Sequence, residues 1–488
     1  MASIEEFREE RIQKLEQLRE LGLNPYPAKA ERSTVIGELL ENFEPSENTV
    51  NVTGRIRAQR GHGKLRFYDL RDESGQIQLL IRANVLEERS AEQGRLGFDD
   101  LKLLDLGDFI QVTGKPITTK TGEPSLEALS IRILTKSLRP LPDEHFGLKD
   151  KETRQRKRYL DTNLNQDVHD RYIRRAKFWT ATREFLNERG FIEINIPVLE
   201  HTTGGADAKP FVTHMDAIDQ DFYLRISHEL PLKRLIGGGY EKVYDIGPRF
   251  RNEHVTEEHL PEHVAMEWYW AYADWRDGMN LTRELFIHVA QSVYGTTEFT
   301  KGDHTFDLAQ EWEELDYETV IREKYGINIY ETNLEEVAAK LKEHNIETSK
   351  TDNLPRMIDK LWKEIRKTIS GPAWLINTPL FLSPLSKASD TNPHVVERFQ
   401  PVFAGSEMGN GFSELNDPLD QMQRFKQQQA MREAGDDEAM MIDEDYIEML
   451  EYGMPPTCGW GHSERVFWVL EGVTAREGVP FPQLRAID

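Results

Sequence analysis

The sequence predicts an α+β chain in which a small β-barrel of the oligonucleotide-binding type precedes one large mixed domain. Three observations lead there. Between Val50 and about Leu134, short β-rich runs recur between turn signals. Beyond the Pro-rich connector "LRPLPDEHFG", strands and helices follow one another in mixed order, with no βαβ repeat to suggest a doubly wound sheet. The 488 residues, 38% hydrophobic and 30% charged, suffice for the cores of two or more domains.

Residues 4 to 23 repeat apolar positions at helical spacing, and Gly22 and Pro25 in "LGLNPYP" stop the helix, so residues 1–48 read as an N-terminal helical segment. Residues 49–140 carry the barrel, through "NVTGRIRA", "LRFYDLRDESGQIQLLIRA", "DFIQVTGKPI" and "PSLEALSIRIL". "DESGQ" and "KTGEP" supply hairpin turns, and "LEERSAEQGRL" reads as an intervening helix. Such a barrel stacks bases on aromatics above a basic groove; Phe67 is the natural platform and Gln78 a base-edge reader. In a barrel standing alone, Phe67 would read as a core aromatic. Residues 141–160 form a linker, whose run "LKDKETRQRKRYL" sets six Lys/Arg against two acids. It fits a phosphate-binding patch and a solvated linker equally. Residues 161–488 make the large domain, with helix signals from Arg171 to Arg189 closed by Gly190. From about 280 to 370, "LEEVAAKLKEHNIE" and "MIDKLWKEIRKTI" mark a helical insertion. P-loop, Rossmann glycine pattern and internal repeats are absent.

Composition narrows the setting. No apolar run approaches the ~20 residues that span a bilayer, and "MASIEEFREERIQKLEQLRE" is too acidic for a secretory or transit leader. The single Cys458 excludes an internal disulfide, reads as a small buried residue and suits a reducing cytoplasm. The formal charge of -24 weighs only weakly against nucleic acid, since phosphate binding depends on local patches.

The stretch "YDIGPRFRNEHVTEEHLPEHVAMEWYWAYADW", from Tyr244, joins two strand-like runs by a long loop carrying His254, His259 and His263. Alternation places Arg249, Arg251 and Glu253 on one face, and Glu267 with Tyr269 on one face of the second run. Trp268, Trp270 and Tyr272 take the opposite face, and Asp274 closes the run. A solvated outer face would explain charged strands, but loops this long in compact domains tend to be functional or disordered.

Three segments fall into order: "REFLNERGFIEINIPVLEHTTGGADAKPF", the hairpin, and "GWGHSERVFWVLEG". They resemble motifs 1, 2 and 3 of class II aminoacyl-tRNA synthetases, on the strength of "FRNE" and the "ER" before an apolar helix. Within that class the chain is similar to the lysyl-tRNA synthetases, through "LGLNPYP", "KSLRPLPDEHFGLKDKETRQRKRYLD", "GGADAKPF", "YLRISHELPLKRL", "EWYWAYADW" and "NGFSELNDP". Region 280–370 matches least.

The resemblance implies an antiparallel catalytic sheet of six or seven strands flanked by helices, a barrel reading the anticodon, and a homodimer through motif 1. Lysine and ATP would give lysyl-adenylate, and lysine would pass to tRNA(Lys). Arg251 would clamp the α-phosphate, its charge permanent and its fork rigid. Glu253 would accept from the adenine amino group, His259 would meet the terminal phosphate, and Arg465 would cover adenine and reach the γ-phosphate. Glu229 and the Gly205 carbonyl would hold the α-amino group; Glu414 and Tyr269 the ε-ammonium. Phe412 would pack along the methylenes, with Asn410 and Glu267 completing the pocket. Glu407 would hold Mg²⁺.

Departures from the pattern carry expectations of their own. Gln400 stands where a second metal carboxylate is usual, which implies a raised Mg²⁺ requirement. His263 replaces the adenine-stacking Phe, so binding should weaken below about pH 6.5 as the imidazole charges. Glu258 sits where an Arg is common, and "GWGHSER" replaces a more glycine-rich motif. Aspartyl and asparaginyl relatives share the scaffold, but Glu229, Glu414 and Tyr269 favour a cationic substrate. A catalytically dead RNA-binding scaffold has only Gln400 in its favour; Arg251, Glu253 and Arg465 oppose it.

Overall fold

The structure is a computed structural model describing residues 3–142, 148–253, 255–349, 352–436 and 438–486. The chain divides into two compact units, Met1–Lys149 and Asp150–Asp488.

In the first unit, helix Ile4–Glu20 starts from a capping box between Ser3 and Glu6 and ends before Gly22, whose φ of 73° lies in the left-handed region. Leu18 and Leu23 enter the barrel core. Strands Gln76–Arg82, Leu65–Arg71, Val50–His62, Phe109–Thr118 and Pro124–Thr135 pair in that order, and the first pairs back onto the last to close the barrel. Alternation sends Tyr68, Leu70, Ile77 and Leu79 inward. Phe67 and Gln78 stay half-buried on the outer face, so the core aromatic of this strand is Tyr68, not Phe67. Arg60, opposite Phe67 in the register, adds positive charge there. The helix expected over 86–96 does not form. Gly94 adopts a left-handed φ of 65°, Ser90 bridges Arg95, and Leu86 and Leu96 both reach the barrel core, an arrangement that a hairpin-like loop satisfies.

In the second unit, six antiparallel strands form the centre of a nine-stranded sheet, in the order Ala373–Ile376, Arg398–Phe403, Asn410–Ser413, Thr457–Ser463, Glu262–Ala271, Lys242–Phe250. Short parallel strands Glu313–Asp316 and Ile192–Glu193 extend the two edges, and Ser406–Glu407 folds back on Arg398–Phe403, which raises the strand number above the expected six or seven. Helices Gln166–Glu188 and Trp275–Tyr294 cover one face: Phe178, Phe185 and Phe286 pack with Trp268, Phe399 and Trp460. Asp274 is not a strand residue; it caps the second helix, accepting from the Arg276 and Asp277 N–H groups. Tyr272 leaves the strand alternation as well, exposed at a φ of 65°.

The insertion folds as helices Tyr317–Tyr325, Leu334–Glu343 and Leu354–Arg366, whose core of Tyr317, Leu341, Ile358 and Trp362 also takes in Leu375 and Val402 of the sheet. The basic run is folded rather than extended. Asp150 caps helix Lys151–Arg156, and buried Arg158 and Asp161 pair at 2.7 Å, so this part of the expected linker belongs to the second unit. The connector residues 143–147 and His254 lie outside the described residues.

Candidate active site

The face of the large sheet away from helices Gln166–Glu188 and Trp275–Tyr294 holds a cavity of about 320 Å³. Its floor follows from strand alternation. Glu267 pairs with Gly461 and Tyr269 with Gly459; Phe412 and Asn410 sit opposite the same two glycines. Trp268 and Trp460 therefore face the core while Glu267 and Tyr269 face the cavity. Both glycines of "GWG" sit where a side chain has no room: a Cβ at Gly459 would stand 2.1 Å from Glu414 Oε1, and one at Gly461 2.8 Å from Glu267 Cγ. Bare backbone makes the slot.

Glu229, at the start of helix Glu229–Gly237, and Glu414 line the slot, as do Gly205, Glu267, Tyr269, Asn410 and Phe412. Lys233, one turn beyond Glu229, is fully buried. Its ammonium lies 3.0 Å from Glu229 Oε1 and 2.5 Å from Glu414 Oε2. Burial alone would depress this lysine, but the Glu414 and Glu229 carboxylates outweigh it and hold it well above the usual range. Burial raises Glu229 to about 7 against the pull of Lys233, and raises Glu414 as well. Among the described residues, Glu414 Oε1 accepts no hydrogen bond although it is buried. An unsatisfied carboxylate oxygen in a closed slot is costly, and a cationic ligand removes that cost.

Glu267 behaves differently. Burial would raise it, but donors from His228 and the nearby Arg249 hold it at about 2. It accepts from Ser227 Oγ at 2.9 Å, from the His228 N–H at 3.1 Å, and from the Tyr269 hydroxyl at 3.0 Å. Asn410 Oδ1 accepts from Arg398 Nε–H at 2.6 Å, which fixes the amide at the slot's rim.

Arg251 and Arg465, from segments far apart in sequence, line this same cavity. They also line a smaller one with Glu253, Glu258, His259 and His263. The strand ends at Phe250, so Arg251 and Glu253 do not continue the Arg249 face; they lie on the loop beyond, with Glu253 exposed. Arg465 donates to the Glu407 carbonyl at 3.1 Å and lies 2.8 Å from His259 Nε2. Burial and the adjacent Arg465 lower His259 to about 4. Behind Arg465, buried Glu464 accepts from the Val264 N–H at 3.0 Å and from Arg175 at 2.7 Å, tying the helix start to the hairpin.

The pH expectation for His263 is overturned. Its Nε2 accepts from Arg249 Nε at 2.8 Å, and its Nδ1 donates to the Leu260 carbonyl at 3.0 Å. Burial and Arg249 push its pKa well below the ordinary value, so it stays neutral through pH 6.5. Glu258, in the position where Arg is common, is bound by Ser406 Oγ and lies 3.4 Å from Arg366 Nη2, which offsets its charge.

Glu407 and Gln400 line the main cavity and also a second one of about 280 Å³ beside it. Among the described residues, no group of three or more His, Cys, Asp or Glu is arranged to hold a metal. A single carboxylate at a polar cavity still fits Mg²⁺, which keeps waters and takes one or two carboxylates plus substrate phosphates.

Comparison with known proteins places the chain in a family. The family described as tRNA synthetases class II (D, K and N) matches residues 150–485, and the OB-fold nucleic acid binding domain matches 50–134. The chain belongs to the class II tRNA synthetases. Among relatives of this synthetase, the lysine–tRNA ligase of Thermotoga maritima is 40% identical over 98% of the chain and 96% of its own length. Those of Halalkalibacterium halodurans and Bacillus subtilis are each 40% identical, over 98% and 97% of the chain and 96% of their own lengths. Of the residues that line the candidate site, Lys233 and Gly459 have no role assigned from the sequence, and Arg249 has only its place on the charged strand face. The first carried a signal, an i to i+4 Glu–Lys pair in "ELPLK"; the others depend on register.

Proposed function

We propose that the chain is an ATP-dependent lysine–tRNA ligase that forms lysyl-adenylate and transfers lysine to the 3′ end of tRNA(Lys). One observation carries the reading. Arg251 and Arg465 border a single cavity whose other end is an acid-lined slot around Glu229, Glu267 and Glu414. Attack of a carboxylate on the α-phosphate needs positioning and charge neutralisation rather than a protein nucleophile. Arg251 holds the α-phosphate, and Arg465 with His259 holds the terminal phosphates and one face of adenine. Glu253, His263 and Arg251 border the smaller cavity that takes the base; His263 there braces Arg249 as well as facing the ligand.

Glu229 and the Gly205 carbonyl take the α-ammonium, Glu414 and Tyr269 the ε-ammonium, and Phe412, Asn410 and Glu267 complete the slot. Lys233 already shares Glu229 and Glu414, so the two ammonium groups of lysine enter a slot whose three carboxylates are partly neutralised rather than bare. Acidic or amide side chains would meet three carboxylates, which disfavours aspartate and asparagine. Glu407, with Gln400 as a neutral neighbour, would hold Mg²⁺, which when bound would supply charge neutralisation at the phosphates. On the barrel, Phe67 and Gln78 face outward for anticodon bases. Exposed Ile192 and Leu199 in the motif 1 segment, with Ile173, Val212 and Ile218 flanking it, support a homodimer. No helix among the described residues is long and apolar enough to cross a membrane; a cytoplasmic site of action follows from the translation reaction.

The test is ATP–pyrophosphate exchange with lysine, aspartate and asparagine in turn. Exchange with lysine alone is expected. Exchange with either of the others, or with none, defeats the proposal.

A further inference from the structure

The insertion helix Leu354–Arg366 reaches the phosphate-facing end of the site. Trp362 and Arg366 are one turn apart and share a helix face. Trp362 Nε1 donates to Glu407 Oε1 at 2.5 Å, and Arg366 Nη1 donates to the Gly405 carbonyl at 2.6 Å. Both grip one tight turn, in which Ala404 and Gly405 have φ of 51° and 70°. The chain just after the helix adds two more ties, the Ala404 N–H to the Ser370 carbonyl and the Gly405 N–H to the Ile369 carbonyl, each at 2.9 Å. The turn delivering Glu407 is thus held from the insertion by four hydrogen bonds.

We propose that this helix is the positioning arm of the metal end of the site, with Trp362 orienting Glu407 so that its other oxygen is presented to Mg²⁺. The inference rests on reading Glu407 as the metal carboxylate. An indole N–H can only donate, so it occupies one carboxylate oxygen in a fixed direction and never competes for the ion. Trp362 is buried in the insertion core, 1% exposed, and its ring cannot follow a rotating carboxylate. With an amide at Gln400, a single carboxylate carries the ligation, and its orientation cannot be shared with a second one. Partners outside the coordination sphere commonly change metal affinity by about 10–100-fold.

The probe is Mn²⁺ binding to the full chain with a non-hydrolysable ATP analogue, followed by electron paramagnetic resonance. Trp362→Phe keeps the ring and removes the donor. Mn²⁺ affinity should fall about tenfold while the lysine KM holds, and adding Gln400→Glu should recover most of the loss. Should Phe weaken the helix core, Arg366→Met tests the same arm from its other contact and should shift Mn²⁺ affinity in the same direction. Unchanged Mn²⁺ affinity in Trp362→Phe, or a lysine KM that rises by the same factor, overturns the proposal. Glu407→Gln separates the two levels. If that variant binds Mn²⁺ like the parent, the metal reading itself fails; if it loses Mn²⁺ and Trp362→Phe does not, only the arm fails.

Discussion

Substituting Gly459 by alanine should close the lysine slot while sparing the nucleotide end. The added Cβ would lie 2.1 Å from Glu414 Oε1 and 2.5 Å from Tyr269 Cε1, where ordinary contact begins at about 3.4 Å. The Glu414 carboxylate must therefore retreat by more than about 1 Å, and it has little room, being 1% exposed and paired with Lys233. A misplacement of that size at a reacting site costs on the order of 10²-fold. The expected loss in kcat/KM for lysine is thus about a hundredfold, or about 2.7 kcal/mol, and most of it should appear in KM. ATP–pyrophosphate exchange across a lysine titration measures it, with binding of an ATP analogue as the control. A KM within threefold of the parent would mean that lysine does not pass over Gly459. The slot would then have to lie elsewhere.

The other predictions concern charge and the barrel. Lys233→Met leaves Glu229 and Glu414 buried without their cation, which should cost about 3–5 kcal/mol in denaturant unfolding; saturating lysine should restore more stability to the variant than to the parent, and equal gains would argue against a shared carboxylate pair. Glu229 must be ionised to accept an ammonium, and its pKa of about 7 means that the lysine KM rises as pH falls below 7; a KM flat from pH 8 to 6 would remove Glu229 from the contact. His263, lowered well below the ordinary value, should be the neutral Nδ1–H tautomer through the ordinary histidine range in ¹⁵N spectra, and a titration near pH 6.5 would contradict its bond to Arg249. Phe67→Ala should weaken tRNA binding by about 1–3 kcal/mol without touching pyrophosphate exchange; unaltered tRNA affinity would return Phe67 to a packing role.

Much of this molecule is legible in local pattern. The barrel strands, the hairpin with its acidic loop, the helix closed by Gly190 and the buried Cys458 all follow from periodicity and turn chemistry that act over a few residues. Where local signals were weak, the reading slipped. "LEERSAEQGRL" has helix-forming composition, yet Gly94 and two leucines that both seek the barrel core turn it into a hairpin-like loop. The alternation read through Glu253 broke at Phe250, because a strand ends where its partner does, and the register belongs to two strands at once.

Motif order and residue type by themselves determined the family, the two-part architecture and the candidate side chains, many of which line one cavity. Tertiary structure alone decided which atoms meet. It brought Lys233 between Glu229 and Glu414, laid Gly459 beneath Tyr269, locked His263 onto Arg249 and set Trp362 against Glu407. The reason is that charge sharing, steric exclusion and proton affinity depend on distances of a few ångströms between segments far apart along the chain. Sequence spacing carries no such distances; burial and strand register do.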